Sequence, residues 1–257
     1  MKELLKFSNV KLTYQTLTDE IDALNNISFS INDCEFVAIV GPSGCGKTTI
    51  LSLVAGLLSP TSGEIILDGK SPKEQSNLIG YMFQKDHLFE WRNIWQNVIL
   101  GLELKKEHKN IDKLNKIDAL LEKYGLKDFK KNKPSQLSGG MRQRVALIRT
   151  LATNPKLLLL DEPFSALDFQ TRLTVCDDVH NIIKTEKKTA LLVTHDISEA
   201  ISLADKIIIL SKRPSTVKKI KVLHLQDYGS PLKRRDAKEF RLLFDEIWRD
   251  IQYDESE

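Results

Sequence analysis

Gly41, Pro42, Ser43, Gly44, Cys45, Gly46, Lys47 and Thr48 form the run GPSGCGKT, which fits the spacing G-x-x-x-x-G-K-[ST]. Glycines let a backbone curl until successive N–H groups point inward, and a phosphate suits such a nest. Lys47 is placed to reach the outer phosphates of a nucleoside triphosphate, and the Thr48 hydroxyl to reach Mg²⁺. Thr49 continues the run into the next element. A second group is Asp161 and Glu162, directly after the apolar run Leu157–Leu160. One carboxylate at the end of a buried strand can hold Mg²⁺, and its neighbour can orient and polarise an attacking water. The third group is Leu137, Ser138, Gly139, Gly140 and Met141, ahead of a helical run through Val145–Leu151. Ser138 and two glycines at a helix start offer free N–H groups to an anion. A single nucleotide does not need two anion cradles. One explanation is that the second serves a nucleotide held by another copy of the chain; the other is a capped helix with a glycine lead-in.

The elements that must position these groups are strands alternating with helices. Leu4–Val10, Ile27–Ile31 and Glu64–Leu67 read as strands, and Asp68-Gly69 as a hairpin turn. Phe36–Val40, Leu157–Leu160, Ala190–Val193 and Ile207–Leu210 are continuous apolar runs, as buried parallel strands require. Thr48–Leu57 continues from the glycine loop as a helix. From about Asp86 to Pro134 lysine and asparagine become dense, and Ile111, Leu114, Ile117, Leu121 and Tyr124 fall at helical spacing. The chain divides accordingly into a core over about 1–85 and 155–215, a helical insertion over about 86–154, and a short helical extension over about 216–257. In that extension Phe240, Leu243, Phe244, Ile247, Trp248 and Ile251 share one helix face, predicted to pack onto the core.

Composition narrows the function classes. The 257 residues are 41% apolar and 28% charged, an ordinary globular balance. With 38 basic and 35 acidic residues the net charge is only +3, which argues against nucleic acid as a partner. Cys34, Cys45 and Cys176 form no CxxC pair, so neither a disulfide framework nor a zinc site is expected. MKELLKFSNV is too short and polar for a secretory signal. No apolar run approaches the roughly 18 residues of a membrane span, so a membrane role would need another chain to cross the bilayer.

Taken together, GPSGCGKT, LSGGM and Asp161-Glu162 resemble the ATP-binding subunits of ABC transporters from about Leu4 to Leu210. Met141 stands where that family usually has Gln. The resemblance implies an α/β fold: a P-loop NTPase core with a mostly parallel sheet, an antiparallel β subdomain and an inserted α-helical subdomain. It further implies that Tyr14 stacks on adenine and that Gln84 touches Mg²⁺ and the water while linking core to insert. Ser165, Ala166, Leu167 and Asp168 would form a loop at a dimer interface, and His195 would contact the γ-phosphate. Lys47, Gln84, Glu162 and His195 are then the expected catalytic residues, and Thr48, Gln84 and Asp161 the expected Mg²⁺ ligands. Two chains would sandwich two ATP molecules head to tail, each site pairing one chain's Gly41–Thr48 with the other's Ser138–Gly140.

Within the family, Leu88–Val98 resembles the L-x-P-W-x-x-V-x-x-N-V stretch of importer subunits for nitrate, sulfonate, taurine and related solutes, with Glu90 in place of Pro. Trp91 and Trp95, four apart, would share one helix face and either line a groove for a permease helix or pack internally. Ser211-Lys212-Arg213-Pro214 resembles the turn that ends the core in the same importers, and the last helix resembles their short extension. The expected setting is the cytoplasmic face of the cell membrane. The expected partners there are a second copy, a separate permease and, indirectly, an extracytoplasmic solute-binding protein. An export subunit or a soluble ABC ATPase is the alternative, although this chain has neither the long coiled coil nor the tandem cassettes usual in the soluble type. A P-loop kinase leaves LSGGM and His195 unexplained.

Overall fold

A computed structural model describes residues 2–16 and 19–252. Six strands make the main sheet: β3 (Phe36–Val40), β5 (Ile79–Met82), β6 (Leu157–Asp161), β7 (Thr189–Val193), β8 (Lys206–Leu210) and β9 (Val217–Val222). Their order is β5-β6-β7-β3-β8-β9, parallel throughout except for β9 against β8. Every residue of β3, β7 and β8 is buried, which is why these runs are aliphatic without alternation. A second, antiparallel sheet has the order β2-β1-β4, from β1 (Glu3–Gln15), β2 (Glu20–Asn32) and β4 (Ser62–Leu67). The two sheets close on one apolar cluster that includes Leu5, Ile27, Val37, Ile39 and Ile208, with helix α1 (Lys47–Val54) between them.

The antiparallel strands are longer than the runs predicted from alternation. Their outer ends are polar and half-exposed, and bulges break the period: Asn9 and Asn26 both adopt positive φ where the β1–β2 register shifts. Gly63 packs across β1 so closely that a Cβ there would lie 2.3 Å from the Asn9 carbonyl oxygen. Asp68 and Gly69 both have positive φ in the tight turn that the sequence predicts. Helix α1 ends at Val54 rather than Leu57, because Gly56 turns the chain at φ +71. Neither β5 nor β9 is long or apolar enough to read as a strand. β9, VKKIKV, is a lysine-rich edge strand, a composition that discourages further pairing.

The helical segment comprises α2 (Ile94–Val98), α3 (Leu100–Leu104), α4 (Ile111–Lys123) and α5 (Gly139–Leu151). It has its own apolar cluster, including Leu88, Ile94, Ile117 and Leu121. Helix α5 belongs to two clusters at once: Val145 and Ile148 face the helical segment, whereas Ala146, Leu147 and Leu151 face the main sheet. One expectation fails here. Trp91 and Trp95 do not share a helix face, because Asn93 caps α2 through a reciprocal capping box with Gln96 and Trp91 lies before it. Trp95 packs into the helical cluster, while Trp91 is 71% exposed and stacks on Phe89. Ile111 is likewise exposed although it fits the period.

The remaining helices are α6 (Phe169–Thr185), α7 (Ile197–Leu203), α8 (Pro231–Arg234) and α9 (Lys238–Gln252). Ile247 of α9 is fully buried, and Phe240, Leu243, Phe244 and Ile251 pack beside it on the core cluster, as the stripe predicts. Trp248 on that stripe stays half-exposed. Lys219 and Lys221 of β9 pair with Glu246, tying α9 to the sheet edge. Among the described residues no helix is long and apolar enough to cross a membrane.

Candidate functional site

Strand β3 leads straight into the glycine loop and then into α1, so the loop sits at the C-terminal edge of the parallel strands. Gly44 and Gly46 take positive φ, and a Cβ on Gly46 would press against Leu24 at 2.9 Å. Backbone geometry therefore calls for glycine at both positions, and close packing does so at Gly46 as well. Lys47 is buried, and its ammonium donates to the carbonyls of Gly41 and Pro42 at 2.9 Å each. Those bonds hold the charge inside the concavity of the loop. Cys45 lies beneath the loop, and burial pushes its thiol up despite the nearby Lys47.

A cleft of about 610 Å³ opens over the loop, lined by Ser43, Gly44, Gly46, Lys47, Thr48, Thr49, Glu162, His195 and Arg213. Asp161 ends β6 and Glu162, the next residue, lines the cleft. Asp161 Oδ1 accepts from the Thr48 hydroxyl at 3.4 Å, and Oδ2 accepts from the Tyr81 hydroxyl at 3.1 Å. Burial raises the Asp161 carboxyl above its ordinary range, opposed by those two hydrogen bonds. Tyr81 is pushed up by burial and by the Asp161 charge, so it stays a donor. Glu162 follows in the left-handed region at φ +44, held there by its N–H to the Val193 carbonyl at 2.9 Å. Strained backbone of this kind costs about 1–3 kcal/mol and persists where surrounding structure enforces it. It turns the Glu162 side chain toward His195, whose Nδ1 lies 3.1 Å from Oε2. The His195 loop is set by Thr194, which donates to Glu199 at 2.8 Å and accepts from the Asp196 N–H at 3.0 Å.

Other predicted site residues lie around the cleft rather than in it. The Tyr14 hydroxyl is 3.2 Å from that of Thr49, beside the loop. Gln84 Nε2 donates to Ser165 Oγ at 3.1 Å, and Ser165 in turn donates to the Glu162 carbonyl at 3.0 Å. Ser138 caps α5, accepting from Met141 N–H at 3.3 Å. Gly139 and Gly140 lie against Leu167 and α6: a Cβ on Gly139 would be 3.1 Å from Leu167, and one on Gly140 would be 2.8 Å from Val175. Leu137 is buried, and Asp168 caps α6 through the Thr171 N–H, a bond that also lowers its carboxyl. Ala166 sits in the same turn. None of residues 137–141 or 165–168 lines the cleft of this chain.

Three features escape motif reading. Tyr81 orients Asp161; only its place beside Gln84 could have hinted at this. Arg142 binds Asp86 at 3.0 Å and the Leu137 carbonyl at 2.9 Å, while Arg149 donates to the carbonyls of Asp86 and His87. The loop after Gln84 is thus clamped to α5. Arg213 enters the cleft from the turn after β8.

The family model for ABC transporters matches residues 24–165. The uncharacterized ABC transporter ATP-binding protein YtlC of Bacillus subtilis is 44% identical over 248 residues, which cover 96% of this chain and 95% of that protein. The taurine import ATP-binding protein TauB of Roseobacter denitrificans is 40% identical over 235 residues, 91% of this chain and 87% of that protein. Among solved structures, the dimeric post-hydrolysis state of the ATP-binding cassette MJ0796 bound to ADP and Pi superposes with a TM-score of 0.72 at 33% identity, covering 86% of this chain and 99% of that one.

Proposed function

Because the chain belongs to the ABC transporter family, as an ATP-binding subunit whose ATP hydrolysis is coupled to transport, we propose that it drives uptake of a small solute through a separate permease. A taurine-like sulfonate or related anion such as nitrate is the favoured solute class. The observation that carries the hydrolytic reading is the convergence of Lys47, Thr48, Glu162 and His195 on one cleft. The import reading is supported by the taurine-import relative and by the exposed Phe89–Trp91 stack, a ready contact for a permease helix.

In this mechanism the loop N–H groups and Lys47 bind the polyphosphate, and Tyr14 packs on the adenine. Thr48 Oγ1 and Asp161 Oδ1 are hard oxygen donors 3.4 Å apart, with the second Asp161 oxygen already satisfied by Tyr81. That donor set fits Mg²⁺, which is commonly held by one carboxylate, a hydroxyl and the substrate's own phosphates. When bound, the cation would offset charge on the phosphates. Glu162 orients the attacking water and accepts its proton. His195, tied to Glu162 through Nδ1, presents Nε2 to the γ-phosphate. Gln84 senses the same region and relays it through Ser165 to the Glu162 backbone.

The face formed by Leu137–Met141 and Ser165–Asp168 would complete the nucleotide site of a second copy, a reading supported by the dimeric neighbour. We assign residues 86–154 as the helical subdomain, the rest up to about 215 as the core with its β subdomain, and the remainder as the extension. The separate apolar cluster of the helical segment supports this division. The protein would act at the cytoplasmic face of the membrane, with an extracytoplasmic binding protein delivering solute to the permease.

The test is reconstitution with the genetically adjacent permease in vesicles containing Mg-ATP. Import predicts ATP-dependent movement of labelled taurine or nitrate from the opposite side into the compartment that holds the ATPase and ATP, lost with Glu162→Gln. Movement toward the ATPase-free side alone, that is efflux from the ATP compartment of a bulky apolar substrate, would instead establish an exporter.

A further inference from the structure

The turn after β8 is built onto the back of the glycine loop. Arg213 Nη2 donates to the Gly44 carbonyl at 2.7 Å across 169 residues of sequence. Ser215, fully buried, donates its hydroxyl to the Cys45 carbonyl. The same residue joins the antiparallel sheet: its N–H reaches the Ala23 carbonyl at 3.0 Å, and its carbonyl accepts from Asn25 at 2.8 Å. Ser211 and Thr216 close the turn through their hydroxyls at 3.1 Å. Two successive loop carbonyls are thereby engaged by the turn after β8.

Arg213 does more than hold a carbonyl. Its side chain lines the phosphate cleft together with Lys47 and His195. A guanidinium carries five N–H donors in a rigid fork, and one bond to Gly44 leaves the others for acceptors in that cleft. Among the described residues no carboxylate pairs with it. A charged fork beside a phosphate loop suits an oxyanion of the polyphosphate, which planar guanidinium groups bind through paired hydrogen bonds.

We propose that Arg213 is a nucleotide-binding residue that contacts the polyphosphate of ATP while anchoring the loop through Gly44. The proposal rests on the reading of this cleft as the ATP site. The test measures binding of ATP and AMP to the full chain and to Arg213→Met, Arg213→Lys and Lys70→Met, at low and high salt. Lys70 is an exposed cation of the turn after β4, and its variant controls for loss of one charge anywhere. Arg213→Met is expected to weaken ATP binding about tenfold, as for one hydrogen bond to a charged group. AMP affinity should change less than about twofold, the loss should shrink in high salt, and Lys70→Met should bind as wild type. Arg213→Lys should fall between, and it serves as the probe where Arg213→Met lowers the melting temperature.

Unchanged ATP affinity in both variants would overturn the proposal. An equal loss for ATP and AMP would also overturn it, showing only a misshapen loop. Normal ATP affinity with lost self-association would do so as well, assigning Arg213 to the second copy instead. Wild-type protein that fails to bind ATP would refute the underlying reading rather than this residue's role.

Discussion

Gly140→Ala separates two roles for the glycines ahead of α5. A new Cβ would sit 2.8 Å from Val175 Cγ2 and 3.3 Å from Thr171 Cγ2, both on α6. Both neighbours are β-branched, and a helix leaves Val175 essentially one rotamer, so neither methyl swings aside readily. Helices α5 and α6 must therefore part by roughly half an ångström to restore ordinary contact. Overpacking of this kind costs about 1–3 kcal/mol, against a gain of up to about 1 kcal/mol in helix propensity. We expect a net loss of about 1–2 kcal/mol in urea unfolding. Val175→Ala removes the obstructing methyl, so the double variant should show a coupling of about 1 kcal/mol or more. A Gly140→Ala protein as stable as wild type, or additive effects in the cycle, would refute the argument. Gly140 would then be needed only for the anion that this helix start is proposed to bind.

Lys47→Ala should lower ATP affinity by at least about tenfold, because the loop loses its charged donor; equilibrium nucleotide binding reads this. Glu162→Gln should retain ATP binding yet turn over at least about a hundredfold more slowly, as measured by phosphate release. Trp91→Ala should leave unfolding within about 0.5 kcal/mol of wild type, since the side chain is exposed, while uncoupling transport from hydrolysis in reconstituted vesicles. His180 is buried among Arg234 and Lys184 with neither ring nitrogen hydrogen-bonded, and burial, then those charges, lowers it to about 4. Its unfolded form takes up a proton near 6.5, so stability is full above that pH and falls as pH drops toward about 4. That fall amounts to roughly 3 kcal/mol from this group. His180→Leu should flatten that part of the pH profile in denaturant melts.

Much of the fold was legible because its signals are local. β3, β6, β7 and β8 are runs of aliphatic residues that only a doubly covered sheet accommodates, and GPSGCGKT carries its own geometry. The ends of β1 and β2 were not legible, since bulges at Asn9 and Asn26 erase the alternation that marks a strand. β9 was hidden by its lysines, which reflect its place at an edge. Trp91 was misplaced because spacing alone ignores the Asn93 cap. In the candidate site, residues inside motifs could be named, but their partners could not. Tyr81 meets Asp161 and Arg213 meets Gly44 only through pairings between segments far apart in sequence. The glycines of residues 139 and 140 read as an anion cradle, and the packing of α6 against them gives a second reason for their size.

The position of β3 in the sheet bears on how the protein is made. This strand lies between β7 and β8, whose residues leave the ribosome roughly 150 residues later. At about 5–20 residues per second that is a delay of about 8 to 30 s. During it the segment bearing the glycine loop has neither sheet neighbour, and the turn that holds Gly44 and Cys45 does not yet exist. A nascent chain halted before residue 189 should therefore gain no protease resistance from ATP. One extended past residue 216 and clear of the ribosomal tunnel should gain it abruptly.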